Sequence, residues 1–167
     1  LFNALKIIQQ GHVKMENMKG SWAGAMGQCQ FMPSSFIKYA EDWNKDNKKD
    51  IWNTKMDVFA SASNYLKNVN WNNKQTWGRK VFFKNKKNFV DKTKWHELKK
   101  WSKFGILNSD KTKLPNVNIK ARLIIPEGNK NYGYLVYSNF ESLLKWNRSN
   151  YFAIAVGTLS DQLISNK

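Results

Sequence analysis

Two helical patterns near the start of the chain are joined by residues 20–36, which read GSWAGAMGQCQFMPSSF. Glycines allow the backbone to take positive φ and to approach a ligand closely, amide side chains offer donors and acceptors, and aromatic rings stack on sugar rings. This composition favours a saccharide site over a hydrophobic core. The alternative is that Gly24, Met26 and Gly27 form only a turn between helices and that Met32-Pro33 begins the next helix.

The same segment resembles the signature of the lytic murein transglycosylases of the membrane-bound B type, which cleave bacterial peptidoglycan strands. The resemblance continues through Trp52, the helix from Asp57 to Leu66, and the segment from Tyr137 to Leu159. It is weakest over the lysine-rich residues 74–118. The resemblance implies an α+β, mainly helical fold, in which a lysozyme-like helical domain carries a small antiparallel β insert.

Hydrophobic spacing predicts helices towards both ends of the chain and strands between them. Asp57 is expected to cap a helix. Three parts follow: a helical part with the glycine loop over 1–74, a β-containing insert over 75–137, and C-terminal helices over 138–167 that return to the helical domain. The helical patterns cover 1–11, 33–43, 57–66, 95–104, 139–144 and 151–163. The strand patterns cover 81–83, 122–125 and 132–137. In the helix over 57–66, the residues expected to face inward are Val58, Ala62, Tyr65 and Leu66.

The chain carries 28 basic and 12 acidic residues, for a formal net charge of +16. Such a field attracts cell-wall polymers, membrane surfaces or nucleic acid. Only Arg79, Arg122 and Arg148 are arginine. Because arginine is the preferred bidentate reader of phosphates and guanine edges, its scarcity argues against specific nucleic-acid recognition. A basic nucleic-acid-binding module is still an alternative, and it predicts binding that falls steeply as salt rises.

The resemblance implies catalysis by a single glutamate. It protonates the oxygen between N-acetylmuramic acid and N-acetylglucosamine and then takes the proton of the muramyl C6 hydroxyl, which leaves a 1,6-anhydromuramyl product. In relatives this glutamate precedes the glycine loop by more residues than stand before Ser21, so we expect it upstream of Leu1 and expect this chain alone to be inactive. Glu16 stands too close to the loop, and a solvated charge is the alternative for it. A glycan-binding remnant without catalysis is the alternative function.

The resemblance also implies the residues that support catalysis and bind substrate. Ser21 would hydrogen-bond and orient the glutamate, and Gln30 would contact the acetamido sugar. Their neighbours in the groove would be Tyr65, Trp146, Asn147 and Tyr151, of which Trp146 stands where relatives tend to have tyrosine. The alternatives are a helix cap for Ser21, a core aromatic for Tyr65 and a turn residue for Asn147.

Residues 42–50 place oxygen-bearing side chains at alternate positions, as a calcium loop does, and relatives carry an EF-hand-like loop here. No cofactor is required by the proposed chemistry, and Ca²⁺ is the metal that this pattern favours. The alternative is a solvated polar turn, since Asn53 replaces the usual bidentate glutamate and neighbouring lysines repel a cation. The candidate ligands are Asp42, Asn44, Asp46, the carbonyl of Lys48, and Asp57.

The single cysteine, Cys29, is interpreted as a small apolar residue of the glycine loop. No apolar run is long enough to cross a bilayer, and Leu1 lacks the features of a signal peptide, so we expect a fragment or a processed product. The resemblance implies a bacterial, periplasmic or outer-membrane-associated protein. Its expected partners are peptidoglycan glycan strands, with no specific nucleic acid, a monomeric state, and membrane attachment only through an anchor outside this chain.

Overall fold

The computed structural model describes residues 1–84 and 94–165 of the chain. It divides into two compact units, Leu1–Val69 (unit 1) and Asn70–Lys167 (unit 2). The described residues form helices and an antiparallel sheet, so the α+β class expected from the sequence is confirmed. The three-part division at 1–74, 75–137 and 138–167 stays a prediction, and its β insert includes residues 85–93, which lie outside the described residues.

Unit 1 is helical. Pro33 stands at the first turn of its second helix, where a missing N–H costs nothing. Gly11 has a φ of 76° just beyond the first helix, as expected for a glycine that ends a helix. The helices are α1 (Phe2–Gln9), α2 (Pro33–Tyr39) and α3 (Lys55–Asn68), with a 3₁₀ turn at Met15–Asn17. The buried apolar side chains between them include Ile7, Phe31, Phe36, Ile51 and Tyr65.

Helix α2 is shorter than the sequence pattern predicted. It ends at Tyr39 rather than near Trp43, because Ala40 is extended, with a ψ of 138°. The N–H of the next residue, Glu41, then donates to the Ser61 hydroxyl at 2.9 Å. The Glu41 N–H therefore bonds to a side chain distant in sequence instead of to a carbonyl of a further helical turn.

Helix α3 also differs from expectation. It begins at Lys55 after Thr54, so the prediction that Asp57 caps it is wrong. The buried residues of α3 are Asp57, Ser61 and Tyr65, and they follow one another at intervals of about one helical turn. The residues expected inward beside Tyr65, namely Val58, Ala62 and Leu66, are only half-buried. The buried face is polar because it serves backbone N–H groups of residues 41–50.

Unit 2 is built on a five-stranded sheet in which all neighbours are antiparallel. The strands are β1 (Gly78–Phe82), β2 (His96–Glu97), β3 (Leu107–Asn108), β4 (Lys120–Ile124) and β5 (Tyr132–Val136), in the order β2-β4-β5-β1-β3. A turn joins β4 to β5 as predicted, with the Asn129 N–H donating to Pro126 O at 3.2 Å. Strands β2 and β3 were missed because two residues show no periodicity.

One face of this sheet carries the core of unit 2. Val81, Leu123 and Leu135 point into it by strand alternation, and helix α4 (Leu98–Lys103) adds Leu98 and Trp101. Helices α5 (Ser138–Trp146) and α6 (Asn150–Ser165) complete the unit. Within residues 1–84 and 94–165, no helix combines the length and the apolar character that crossing a bilayer requires.

Candidate functional site

The glycine loop, residues 20–31, is folded back on itself twice. Met26 pairs with Gly20 on one side and with Phe31 on the other. Met26 and Phe31 exchange both backbone hydrogen bonds, at 2.8 and 3.0 Å, and both side chains are buried. Two buried anchors thus fix the loop, and Ser21, Gln28 and Gln30 are exposed on it.

Ser21 is exposed on this loop. Its Oγ accepts the Ala25 N–H at 3.2 Å, while its own N–H donates to Ala25 O at 2.8 Å. Because the oxygen already serves as an acceptor, the hydroxyl hydrogen is left to donate. Ser21 caps no helix, so the helix-cap alternative is wrong. The geometry suits a donor towards a carboxylate or a sugar oxygen.

Gln30 is exposed and has a φ of 51°. Its Nε2 donates to Gly27 O at 2.9 Å, which fixes the plane of the amide. The Oε1 atom remains as an acceptor on the outer side. An acetamido N–H is a donor of the matching kind.

The loop is braced from residues 51–52. The backbone N–H of Gln28 donates to Ile51 O at 2.8 Å, and its side-chain Nε2 donates to Trp52 O at 2.9 Å. Trp52 returns a bond through its indole N–H, which donates to Lys19 O at 2.8 Å. Sequence reasoning did not single out Gln28, because its partners lie 23 and 24 residues away.

Tyr65 lies in the core of unit 1 rather than on an open surface. Its ring contacts those of Phe31, at 5.7 Å between centroids, and Tyr39, at 4.9 Å. Burial, with a smaller contribution from Tyr39, raises the pKa of the Tyr65 hydroxyl. This is the core-aromatic alternative considered from the sequence. Contact with substrate through Tyr65 stays a prediction.

The remaining substrate-binding candidates come together at the junction of α5 and α6 in unit 2. Trp146 ends α5 and is half-buried, and Asn147 follows it, exposed. Tyr151 lies in the first turn of α6, 62% exposed, and its hydroxyl accepts the Glu127 N–H at 3.3 Å. Trp146, Asn147 and Tyr151 thus belong to unit 2, whereas Ser21 and Gln30 belong to unit 1.

Residues 42–50 form a tight turn held by their own side chains. Asp42 accepts the N–H groups of Asp46, at 3.2 Å, and Asn47, at 2.8 Å. Asp46 in turn accepts the Lys48 N–H at 2.9 Å. The left-handed φ values of Lys45 and Asn47, 59° and 68°, close the turn.

Two further carboxylates near this turn accept backbone N–H groups. Asp57 is fully buried and accepts the N–H groups of Trp43 and Asp50, each at 2.9 Å. Asp50 accepts the N–H groups of Trp52 and Asn53, also at 2.9 Å. Among the described residues, no group of three or more His, Cys, Asp or Glu side chains is arranged to hold a metal ion.

The carboxylates before and just after the loop lie in polar surroundings. Glu16 is exposed in the 3₁₀ turn. Glu41 is exposed and accepts the Asn64 side-chain N–H at 2.7 Å. A general acid instead needs largely apolar surroundings that favour its protonated form.

Cys29 is buried, and its thiol donates to Val58 O at 3.5 Å. Burial raises the pKa of the Cys29 thiol to about 11. The thiolate is therefore scarce at neutral pH. The interpretation of Cys29 as a small apolar residue of the loop is confirmed.

The chain is similar to several solved lytic transglycosylases. SltB3 from Pseudomonas aeruginosa, solved in complex with NAG-anhNAM-pentapeptide, superposes with a TM-score of 0.89 and 39% identity over 97% of this chain and 44% of that chain. Slt35 from Escherichia coli, solved in complex with calcium, gives a TM-score of 0.77 and 25% identity over 95% of this chain and 50% of that chain. The lysozyme-like fold expected from the sequence is thus confirmed.

A further similarity lies in sequence. The membrane-bound lytic murein transglycosylase B of Escherichia coli strain K12 is 47% identical over 55 residues, which are 33% of this chain and 15% of that protein. The chain thus spans less than half of the length of SltB3 and a smaller share of the murein transglycosylase. The sequence model of the protein family described as the transglycosylase SLT domain matches residues 1–161 of this chain. With most of its length matched in this way and its glycine loop folded as described, the chain belongs to the transglycosylase SLT domain family.

Proposed function

We propose that this chain is part of a lytic murein transglycosylase. The reaction is cleavage of the β-1,4 bond between N-acetylmuramic acid and N-acetylglucosamine, with a 1,6-anhydromuramyl product. The observation that carries the proposal is the glycine loop, which presents an unused hydroxyl donor on Ser21 and a fixed amide on Gln30 from a braced backbone.

The substrate class is supported by relatives. SltB3 was solved with NAG-anhNAM-pentapeptide and also with NAG-NAM-pentapeptide, the latter at a TM-score of 0.91 and 38% identity. The first ligand carries the anhydro sugar that a lytic transglycosylase makes. We therefore take glycan strands of peptidoglycan as the substrate of the whole protein.

Ser21 and Gln30 have distinct roles in this proposal. The Ser21 hydroxyl orients the catalytic carboxyl, since its hydrogen is left to donate. The Gln30 Oε1 accepts the acetamido N–H of the substrate, since its Nε2 is already held by Gly27 O. In unit 2, Trp146, Asn147 and Tyr151 offer stacking and hydrogen-bonding groups to the glycan.

The acid is proposed to be a glutamate upstream of Leu1. Glu16 and Glu41 are exposed, and the Glu41 carboxylate accepts the Asn64 side-chain N–H, so neither lies in the apolar site that a general acid needs. Asp57 is buried, but each of its oxygens accepts a backbone N–H, so neither is placed to donate a proton. The described part of unit 1 therefore supports the acid without supplying it.

The proposed reaction does not use calcium. Asp42, Asn44, Asp46 and the Lys48 carbonyl would be the ligands of an EF-hand-like site, with Asp57 as a fifth. The donor set does not fit a tight site, because both Asp57 oxygens accept backbone N–H groups and Asn53 turns its amide Nδ2 to Asp50 at 3.3 Å. Lys45, Lys48 and Lys49 add positive charge to the same turn.

We place the protein in the bacterial periplasm or at the outer membrane, as a monomer. The Escherichia coli relative is named as a membrane-bound protein. Peptidoglycan, the proposed substrate, lies in the periplasm. Any attachment to the membrane is proposed to lie outside this chain.

The test is to digest purified murein with this chain and with an N-terminally extended version of the protein, and to look for 1,6-anhydromuramyl products by mass spectrometry. We expect products from the extended version only. Products from this chain alone would overturn the assignment of an upstream acid. Binding by the extended version without products would instead indicate a glycan-binding remnant.

Variants of the extended protein test the loop. Ser21→Ala is expected to lower kcat about a hundredfold, because removal of one preorganised hydrogen bond in an active site has an effect of that order. Ser63→Ala is the matched control, since Ser63 is exposed on α3 and lies away from the loop in the sequence. Equal activity of the two variants would contradict the role of Ser21.

A further inference from the structure

The positive charge of the chain is concentrated in unit 2. Of the 28 basic residues, 19 lie in residues 70–167 with only six acidic residues, so this unit carries +13 of the net +16. Unit 1 holds the glycine loop and is nearly balanced. The excess positive charge therefore lies in unit 2, whose sheet has no role in the proposed reaction.

On the second face of the sheet, part of this charge lies over aromatic rings. Strand alternation places Lys80 and Phe82 of β1 on the face opposite Val81. Phe82 is the register partner of Tyr132 on β5, and their rings meet edge to face at 5.5 Å. The Lys80 ammonium lies over the Tyr132 ring at 5.2 Å, and the Lys111 ammonium lies over the Phe82 ring at 5.4 Å.

These four side chains, Lys80, Phe82, Lys111 and Tyr132, form a lysine–aromatic cluster. Within the described residues, neither ammonium makes an ion pair. Each ammonium group lies over an aromatic ring instead. Two positioned cations of this kind are suited to anionic groups of a partner.

We propose that the lysine–aromatic cluster binds the free carboxylates of peptidoglycan stem peptides. The proposal rests on the proposed function, which brings the protein to murein, and it adds a contact to the stem peptides through unit 2. Stem peptides carry carboxylates at regular intervals along a glycan strand, so the charge of unit 2 and that of the polymer are complementary. The contact would hold the strand while unit 1 engages the sugars.

Nucleic acid fits the cluster less well. Non-specific binders of single strands stack bases on open aromatic faces, whereas lysines cover the rings of Phe82 and Tyr132 here. Two of the three arginines that could read phosphates are engaged elsewhere. Arg79 donates to the Tyr137 hydroxyl at 2.6 Å, and Arg122 pairs with Glu141 at 2.6 Å.

The experiment measures binding of this chain to purified sacculi by co-sedimentation. Two ligands are compared: intact sacculi, and sacculi whose carboxylates have been converted to neutral amides with carbodiimide and excess methylamine. The test variant is Lys80→Gln with Lys111→Gln, which keeps two polar side chains and removes two charges. The control variant is Lys14→Gln with Lys67→Gln, which removes two exposed charges of unit 1. Thermal melting verifies that both variants fold.

We expect the test variant to bind intact sacculi roughly fivefold more weakly than the control, the size that two exposed ion pairs supply. On amidated sacculi the two variants should bind equally. Equal binding to intact sacculi, or a difference that survives amidation, would overturn the inference. Competition by single-stranded DNA as effective as that by soluble murein fragments would also overturn it.

Failure of this inference can be separated from failure of the proposed function. If the extended protein makes 1,6-anhydromuramyl products while the lysines have no effect on binding, only the inference fails. If the extended protein forms no products and does not bind sacculi, both the inference and the proposed function fail.

Discussion

Gly27 lies directly against Ile51. A Cβ on Gly27 would meet both the Cγ1 and the backbone oxygen of Ile51 at 2.6 Å, and Gly27 has a φ of 61°. The position thus excludes a side chain by space and by backbone conformation. This contact sets the distance between the glycine loop and residues 51–52, and so the places of Ser21 and Gln30.

We predict that Gly27→Ala lowers the free energy of unfolding by about 2–4 kcal/mol, since backbone strain and overpacking add. Chemical denaturation followed by circular dichroism measures the change. Gly11→Ala is the matched control, because Gly11 has a φ of 76° but a Cβ added to it would meet no atom within 4 Å. It should cost only about 1 kcal/mol. Equal losses would show that the Ile51 contact does not matter.

Asp57→Asn is the second prediction. An amide in place of the carboxylate turns an N–H₂ group towards the N–H of Trp43 or of Asp50, so one buried donor loses its acceptor. We expect a loss of about 1–3 kcal/mol in the free energy of unfolding. Asp46→Asn, at an exposed position of the same turn, is the control. A harmless Asp57→Asn would contradict the role of Asp57 in closing residues 43–50.

The glycine loop could be recognised from the sequence because its information is local. Gly27 and Gln30 both take positive φ, and the spacing of glycines and amides predicted a loop that faces a ligand. The hydroxyl of Ser21 and the amide of Gln30 lie exposed on this loop. Their contact with substrate stays a prediction.

The polar interior of α3 could not be recognised. Asp57 was predicted to be a helix cap and Ser61 was not singled out, yet both are fully buried. They are buried because N–H groups of Glu41, Trp43 and Asp50 need acceptors, and only the fold brings these together. The same cause ended α2 early and made the buried face of α3 more polar than its spacing suggested.

Gly157 carries a third prediction, for unit 2. A Cβ on this residue of α6 would meet the Trp77 ring at 2.3 Å. Gly157→Ala should displace the ring and break the bond from Trp77 Nε1 to Asp161 Oδ2, which is 3.0 Å long. We expect a loss of about 1–3 kcal/mol in stability, read from thermal melting. Ala155→Ser adds one atom at an exposed position of the same helix and should change little. A stable Gly157→Ala protein would show that α6 does not pack closely on Trp77.

The last prediction concerns pH. The His12 Nδ1 accepts the Lys49 N–H at 3.3 Å, and its ring contacts Phe36 at 5.6 Å between centroids. Burial, with Lys49 contributing further, lowers the pKa of His12 from 6.5. The unfolded chain therefore binds a proton more readily than the folded protein, so stability falls as pH is lowered below about 6.5 through the folded pKa.

The measurement is the urea midpoint between pH 5 and pH 8, in the parent protein and in His12→Gln. Glutamine does not titrate in this range, so the variant should lose less stability towards low pH than the parent. Ser63→Ala, at an exposed position of α3 without a titrating side chain, is the control and should keep the pH dependence of the parent. If His12→Gln also keeps that dependence in full, protonation of His12 is not what weakens the fold, and its contact with the Lys49 N–H has no part in the acid response.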